Sequence, residues 1–177
     1  SGLAPDTPLA SSLDGSTAAW LSPKGVVVRR AGDQIELPLP FQPDLIELTA
    51  HGEYATIYLN TDSHCRIASA PILPDTSFLE FNLKSCNEIP VLTGNQGLFY
   101  WIRDGKLLFS SRKNQNGQME GENRALQAGV FRPRYPKFPN RYVLKDTGDG
   151  SLAIFYGTAG DYRLYKFDEK RGSVELF

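Results

Sequence analysis

Gly97-Leu98-Phe99-Tyr100-Trp101-Ile102-Arg103-Asp104-Gly105-Lys106-Leu107-Leu108-Phe109-Ser110-Ser111 holds two short apolar runs on either side of Arg103-Asp104-Gly105. Asp-Gly between hydrophobic runs is a strong hairpin signal, because a two-residue turn needs positive φ and both residues tolerate it. In the first run Leu98, Tyr100 and Ile102 share one face, while Phe99 and Trp101 share the other. Both faces are apolar, so this strand is expected to be covered on both sides.

The same order of short strand, polar turn, Gly, long strand, turn and second strand recurs. Here it begins with Ile89–Leu92 and the turn Thr93–Gln96. Ala18–Leu21 leads through Ser22-Pro23-Lys24-Gly25 to Val26–Arg30 and Gln34–Leu39. Leu45–Leu48 leads through Thr49-Ala50-His51-Gly52 to Glu53–Leu59 and His64–Ile72, with Phe78–Leu83 as an outer strand. Tyr142–Leu144 leads through Lys145–Gly150 to Ser151–Tyr156 and Tyr162–Asp168. Gly25, Gly52, Gly97 and Gly150 are spaced unevenly, by 27, 45 and 53 residues, so the repeat is degenerate. The expected fold is all-β, a small β-propeller-like array of about four antiparallel meanders. A β-sandwich or barrel needs the same alternation and turns and stands as the alternative.

The unit, closing on Asp161-Tyr162-Arg163-Leu164-Tyr165-Lys166-Phe167-Asp168, resembles a blade of TolB-like or WD40-like β-propellers. The resemblance spans most of the chain and implies a blade array.

A chain of 177 residues with 41% hydrophobic content suits one sizeable core. The expected organisation is a flexible N-terminus over 1–15 and a single all-β domain over 16–177, with an irregular insertion at 110–141. No stretch reaches transmembrane length, and no signal-peptide pattern is present. The small, Pro-rich start reads as a mature N-terminus or a junction, with room for an export signal or anchor before it. The two cysteines, Cys65 and Cys86, fall at neighbouring strand ends of the second copy, where a disulfide is geometrically reasonable. A disulfide favours a periplasmic or extracellular setting, whereas two unrelated buried thiols would suit the cytosol.

Ser110–Tyr142 separates the third copy from the fourth. It carries seven Lys or Arg against two Glu, a local net charge of +5 that leaves −6 for the rest of a chain at −1. Its first part offers Ser110, Ser111, Arg112 and Asn114 on a polar loop. Its last part, Phe131–Tyr142, alternates aromatic, basic and Pro residues and offers Arg132, Arg134, Tyr135, Lys137 and Phe138. Proline lowers the entropy lost on docking, and aromatics and Arg are frequent interface anchors. The plainer reading is a connector whose aromatics pack on the core while its basic heads reach solvent. The best helix candidate, Met119–Val130, is interrupted by Gly121 and Gly129.

Chemistry is sparse. His51 and His64 fall in or beside turns, and Asp62-Ser63-His64 is adjacent only in sequence. Asp146-Thr147-Gly148 matches the triplet of aspartic proteases, but those enzymes need two such carboxylates side by side and the chain has one. No phosphate-binding Gly loop, calcium loop or zinc-ligand spacing occurs. No catalytic set, metal site or cofactor is therefore expected. The slightly negative overall charge argues against nucleic acid as partner.

The expectation is a non-enzymatic periplasmic or secreted binding protein acting through Ser110–Gly117 and Phe131–Arg141. Asp62-Ser63-His64-Cys65-Arg66-Ile67, followed by Ser85-Cys86-Asn87, resembles the paired-cysteine blades of small periplasmic propeller proteins. Some of these are immunity proteins against peptidoglycan-degrading effectors of type VI secretion. That resemblance implies a protein inhibitor whose loop plugs the cleft of an effector enzyme. Two alternatives remain: a glycan- or peptidoglycan-binding envelope module using Tyr135 and Phe138, and a hydrolase built from blade loops with Glu53, Asp62, His64 and Asp146. Free outer-strand edges leave the oligomeric state open.

Overall fold

A computed structural model describes residues 6–61, 64–83, 85–112, 141–158 and 160–177. Every regular element among them is a strand, and the strands form four consecutive antiparallel meanders. Sheet I contains β1 (Leu9–Ser11), β2 (Thr17–Ser22), β3 (Gly25–Arg30) and β4 (Asp33–Leu37). Sheet II contains β5 (Leu45–Leu48), β6 (Tyr54–Asn60), β7 (Cys65–Pro71) and β8 (Leu79–Asn82). Sheet III contains β9 (Val91–Leu92), β10 (Leu98–Arg103) and β11 (Lys106–Ser111). Sheet IV contains β12 (Arg141–Asp146), β13 (Ser151–Thr158), β14 (Asp161–Asp168) and β15 (Ser173–Leu176). Within each sheet neighbours in sequence are neighbours in space, the all-β array of meanders read from the repeat.

Two compact units result, one with sheets I and II and the other with sheets III and IV. In the first, Val26, Val28 and Leu37 of sheet I meet Ile46, Ile57 and Ala68 of sheet II in a dry core. In the second, Tyr100, Ile102 and Leu107 of sheet III pack with Ile154, Tyr165 and Phe167 of sheet IV. The Tyr100 and Phe167 rings meet edge-on at 5.5 Å, a geometry favoured by the ring quadrupoles. The Asp104-Gly105 hairpin forms as expected, both residues at positive φ (49° and 69°). Phe99 and Trp101 are as buried as Tyr100 and Ile102, so β10 is covered on both faces.

The turn after the first strand of each sheet is the same device. Ser12, Thr49, Thr93 and Thr147 each donate their backbone N–H to the carbonyl of Thr17, Tyr54, Leu98 and Ser151, at 2.9–3.2 Å. Each turn then passes through a glycine at positive φ, namely Gly15, Gly52, Gly97 and Gly150. Each hydroxyl also donates to a carboxylate: Ser12 to Asp14, Thr49 to Glu53, Thr93 to Glu169 and Thr147 to Asp149, at 2.6–2.7 Å. The polar groups of the turn are thus satisfied where Ser12, Thr49 and Thr93 are buried.

Three sequence expectations need correction. In copy one the repeat glycine is Gly15, because β1 lies within 1–15, which had been expected to be flexible. A three-residue strand with one large apolar side chain is too short to show periodicity. The last strand, β15, follows the Gly172 turn and buries one large apolar residue, Val174, so it too left little pattern. The strand expected at Ile89–Leu92 shrinks to Val91–Leu92, since Pro90 has no N–H to offer a ladder.

Cys65 and Cys86 form a disulfide with Cα atoms 5.4 Å apart, joining the start of β7 to the chain just past β8. Replacing both cysteines with Ser is expected to cost about 3 kcal/mol. Urea midpoints of the variant and of the reduced wild type should fall together. The turn glycines offer a second test. A Cβ at Gly52 would collide with the side chain of Thr17, whereas one at Gly15 meets nothing. Gly15→Ala should cost about 1 kcal/mol from backbone strain alone. Gly52→Ala should cost about 2 kcal/mol or more, read from the same denaturation curves. Acid supplies a third. The Asp149 carboxyl is lowered to about 2, first by the Thr147 hydroxyl and then by Ser151. Its stabilisation is present above its unfolded pKa of about 4 and is lost as pH falls towards 2. Asp149→Asn should flatten the fall in melting temperature across that window.

Candidate functional site

The residues picked from sequence fall in several places. Ser110 is not on an exposed loop. It lies in β11 opposite Phe99 and is 5% exposed, because the hairpin continues to Ser111 and turns this hydroxyl inward. Ser111 is exposed and Arg112 half-buried, with the Arg112 backbone N–H bonded to the Gly97 carbonyl at 3.3 Å. Asn114, Arg132, Arg134, Tyr135, Lys137 and Phe138 lie outside the described residues, as does the helix candidate Met119–Val130.

Of the candidate hydrolytic residues, Glu53 and His64 are not brought together. Glu53 precedes β6 and His64 follows it, so the strand holds them about 20 Å apart. Glu53 accepts from the Thr49 hydroxyl at 2.6 Å and the His51 N–H at 3.3 Å. Asp146 accepts from the N–H groups of Gly94 and Gly148, at 3.0 and 3.1 Å. These carboxylates hold turns. Asp62 lies outside the described residues. Among the described residues no group of three His, Cys, Asp or Glu is placed to hold a metal ion.

Two polar clasps went unnoticed in the sequence. In the first unit Asp14 accepts from Ser12 Oγ, Ser16 N and Ser16 Oγ at 2.7–2.9 Å, and its other oxygen lies 3.1 Å from His51 Nδ1. The Ser12 hydroxyl, then the Ser16 N–H, hold this carboxyl well below the usual range. In the second unit buried Glu169 receives Thr93 Oγ1 at 2.7 Å and Asn95 Nδ2 at 3.3 Å. In both cases an acid from one sheet clasps the first turn of its neighbour. The partners are far apart in sequence, which is why a linear reading cannot pair them.

Sheet IV carries the most distinctive surface. Leu144, Ile154, Tyr165 and Phe167 face the core, so the alternate positions face outward. There Val143 pairs with Phe155, Phe155 with Leu164, and the Phe177 N–H bonds the Leu164 carbonyl at 2.9 Å. The result is one apolar row across all four strands. Val143 is 50%, Phe155 41% and Phe177 80% exposed, and Tyr162 stands beside them at 49%. Arg141 lies on the flank next to Tyr162, and Lys145 and Lys166 lie on the other. The sequence signal was available: β12 to β14 place large apolar residues at both parities, more than one core face uses. No described helix is long and apolar enough to cross a membrane.

No protein-family model matches the sequence, and no curated protein matches it. Solved structures do. The fold is similar to TolB from Acinetobacter baumannii, with a TM-score of 0.51 and 14% identity over 96% of this chain and 42% of that one. A putative TolB from Agrobacterium tumefaciens gives 0.52 and 13% over 96% and 60%. Prolyl oligopeptidase B from Galerina marginata gives 0.55 and 11% over 96% and 26%. The chain therefore spans less than half of the first of these proteins and about a quarter of the last. At such identities the likeness concerns the fold alone, and that fold is the β-propeller type, an array of four antiparallel meanders.

Proposed function

We infer that the chain is a non-enzymatic binding protein of the periplasm or the extracellular space. Its most specific reading is a protein inhibitor, an immunity protein that blocks the active-site cleft of a partner enzyme such as a peptidoglycan-degrading effector. The observation that carries the binding role is the outward row of sheet IV. Four apolar side chains in register, flanked by Arg141 on one side and by Lys145 and the Lys166–Asp149 ion pair on the other, have the composition of an interface centre with a charged edge. In sequence that row adjoins the basic segment ending at Arg141, which would favour an acidic partner. The disulfide supports the oxidising setting, since such bonds persist outside the cytosol. The paired-cysteine resemblance supplies the inhibitor reading.

The experiment is a pull-down from the envelope and secreted fractions of the source organism with the oxidised chain. One stoichiometric enzyme partner should be captured and its activity lost. Val143→Asp with Phe155→Asp should weaken capture at least about tenfold, since central apolar anchors dominate interfaces. The two carboxylates would stand opposite each other across the β12–β13 ladder, so the melting temperature should also fall, whereas Val143→Thr with Phe155→Thr should weaken capture without adding that repulsion. Rising salt should weaken capture through Arg141 and the basic segment before it. Recovery of glycan alone, or capture indifferent to the double substitution, would overturn the reading.

A further inference from the structure

Sheet I has a concave feature at the turn end of its core face. Val26 pairs with Leu37, Val28 with Ile35 and Arg30 with Asp33 across the β3–β4 hairpin, so these six side chains share the core face. Val26 and Leu37 are sealed in the core. Towards the turn Val28 is still sealed, at 1% exposed, but Ile35 is only half-buried, and both lie at the base of a pocket of about 440 Å³. Ile72 and Pro74, which follow β7, form the opposite wall, and Arg30 and Asp33 line the pocket at its exposed end. An apolar floor with a few polar groups at the edge, in this volume range, is the usual build of a small-ligand site.

Two details single the pocket out. The Arg30 guanidinium donates from Nη2 to the His51 carbonyl at 3.3 Å. This holds it towards sheet II rather than across the hairpin to Asp33, so a cation and an anion stand apart at one rim. The other detail is the turn. Ala31 and Gly32 have φ of 48° and 89°, close to the 49° and 69° of Asp104 and Gly105 in the β10–β11 hairpin. The same two-residue turn thus occurs twice, once with the favoured Asp and once with Ala, which tolerates this conformation poorly. Ala31 is also a pocket-lining residue. A strained small residue where Asn or Asp would be comfortable points to a requirement of the pocket rather than of the turn.

We propose that this pocket binds a free apolar α-amino acid as its zwitterion. The side chain rests on Ile35 and Pro74, above the buried Val28 and Ile72, the carboxylate meets Arg30, and the ammonium meets Asp33. Arg suits this role because its planar fork has five N–H donors, one of which serves His51. The site lies in the first unit and does not depend on the sheet IV interface.

The test is an amide-resolved NMR titration of the full chain with L-leucine, N-acetyl-L-leucine and L-leucinamide. Leucine should move the Val28–Ile35 amides with a Kd on the order of 1 mM. The other two ligands each lack one charge and should bind roughly fivefold more weakly or worse. Arg30→Gln should abolish the preference for leucine over leucinamide. Ala31→Asn should raise the melting temperature, by relieving the turn, while weakening leucine binding. The proposal is overturned if leucine gives no saturable shifts, or if N-acetyl-leucine or leucinamide binds as tightly, which would indicate a peptide terminus instead. Unchanged leucine affinity in Ala31→Asn would equally count against it.

Discussion

The structure depends on a hydroxyl–carboxylate pair at the first turn of each meander. Blade-like sheets bury not only their faces but the turns that start them, and a buried turn must satisfy its own polar groups. Ser12, Thr49, Thr93 and Thr147 meet that demand from a single position, with a backbone N–H across the turn and a hydroxyl on an acid. Three of the four acids are local. The exception, Glu169, comes from the neighbouring sheet and is itself buried. A local contact has there become a clasp between two sheets, and His51 with Asp14 achieves a similar link in the first unit.

This device explains how much of the fold was legible. The recurrence of Leu-Thr before a polar turn and Gly in the second and third copies is the visible trace of the buried threonine, and it located both meanders. Copy one was read one strand out of phase, because Ser22-Pro23-Lys24-Gly25 imitates the motif. Gly25 is not at positive φ; it is a strand residue whose missing Cβ lets the Leu37 carbonyl approach. The cue of a polar turn with Gly is therefore insufficient without the hydroxyl that folds back over it. β1 and β15 escaped for a different reason: each is an edge strand held largely by ladder hydrogen bonds, which side-chain pattern does not encode.

The surfaces were less legible than the scaffold. Charge asymmetry directed attention to Ser110–Tyr142, yet its first residue proved to be a buried ladder position. The apolar row of sheet IV shows the limit of the assumption that a strand apolar on both sides is covered on both sides. That assumption holds for β10, where Phe99 and Trp101 are buried, and fails for β13, where Phe155 is exposed. Periodicity reports which residues share a face, not whether a neighbour exists to cover it. The Arg30–Asp33 rim was equally silent, since a cross-strand ion pair is the ordinary reading of such a couple.

The disulfide has a mechanical consequence. Cys86 closes the main segment of the first unit, and its bond leads not to the adjacent edge strand but to the head of β7. Tension arriving from the following chain is thus delivered past β8 into a strand hydrogen-bonded on both sides, between β6 and β8. Oxidised, the first unit takes up a pull at this point on a strand held by two ladders. Reduced, it takes up the same pull on β8, which is held by one.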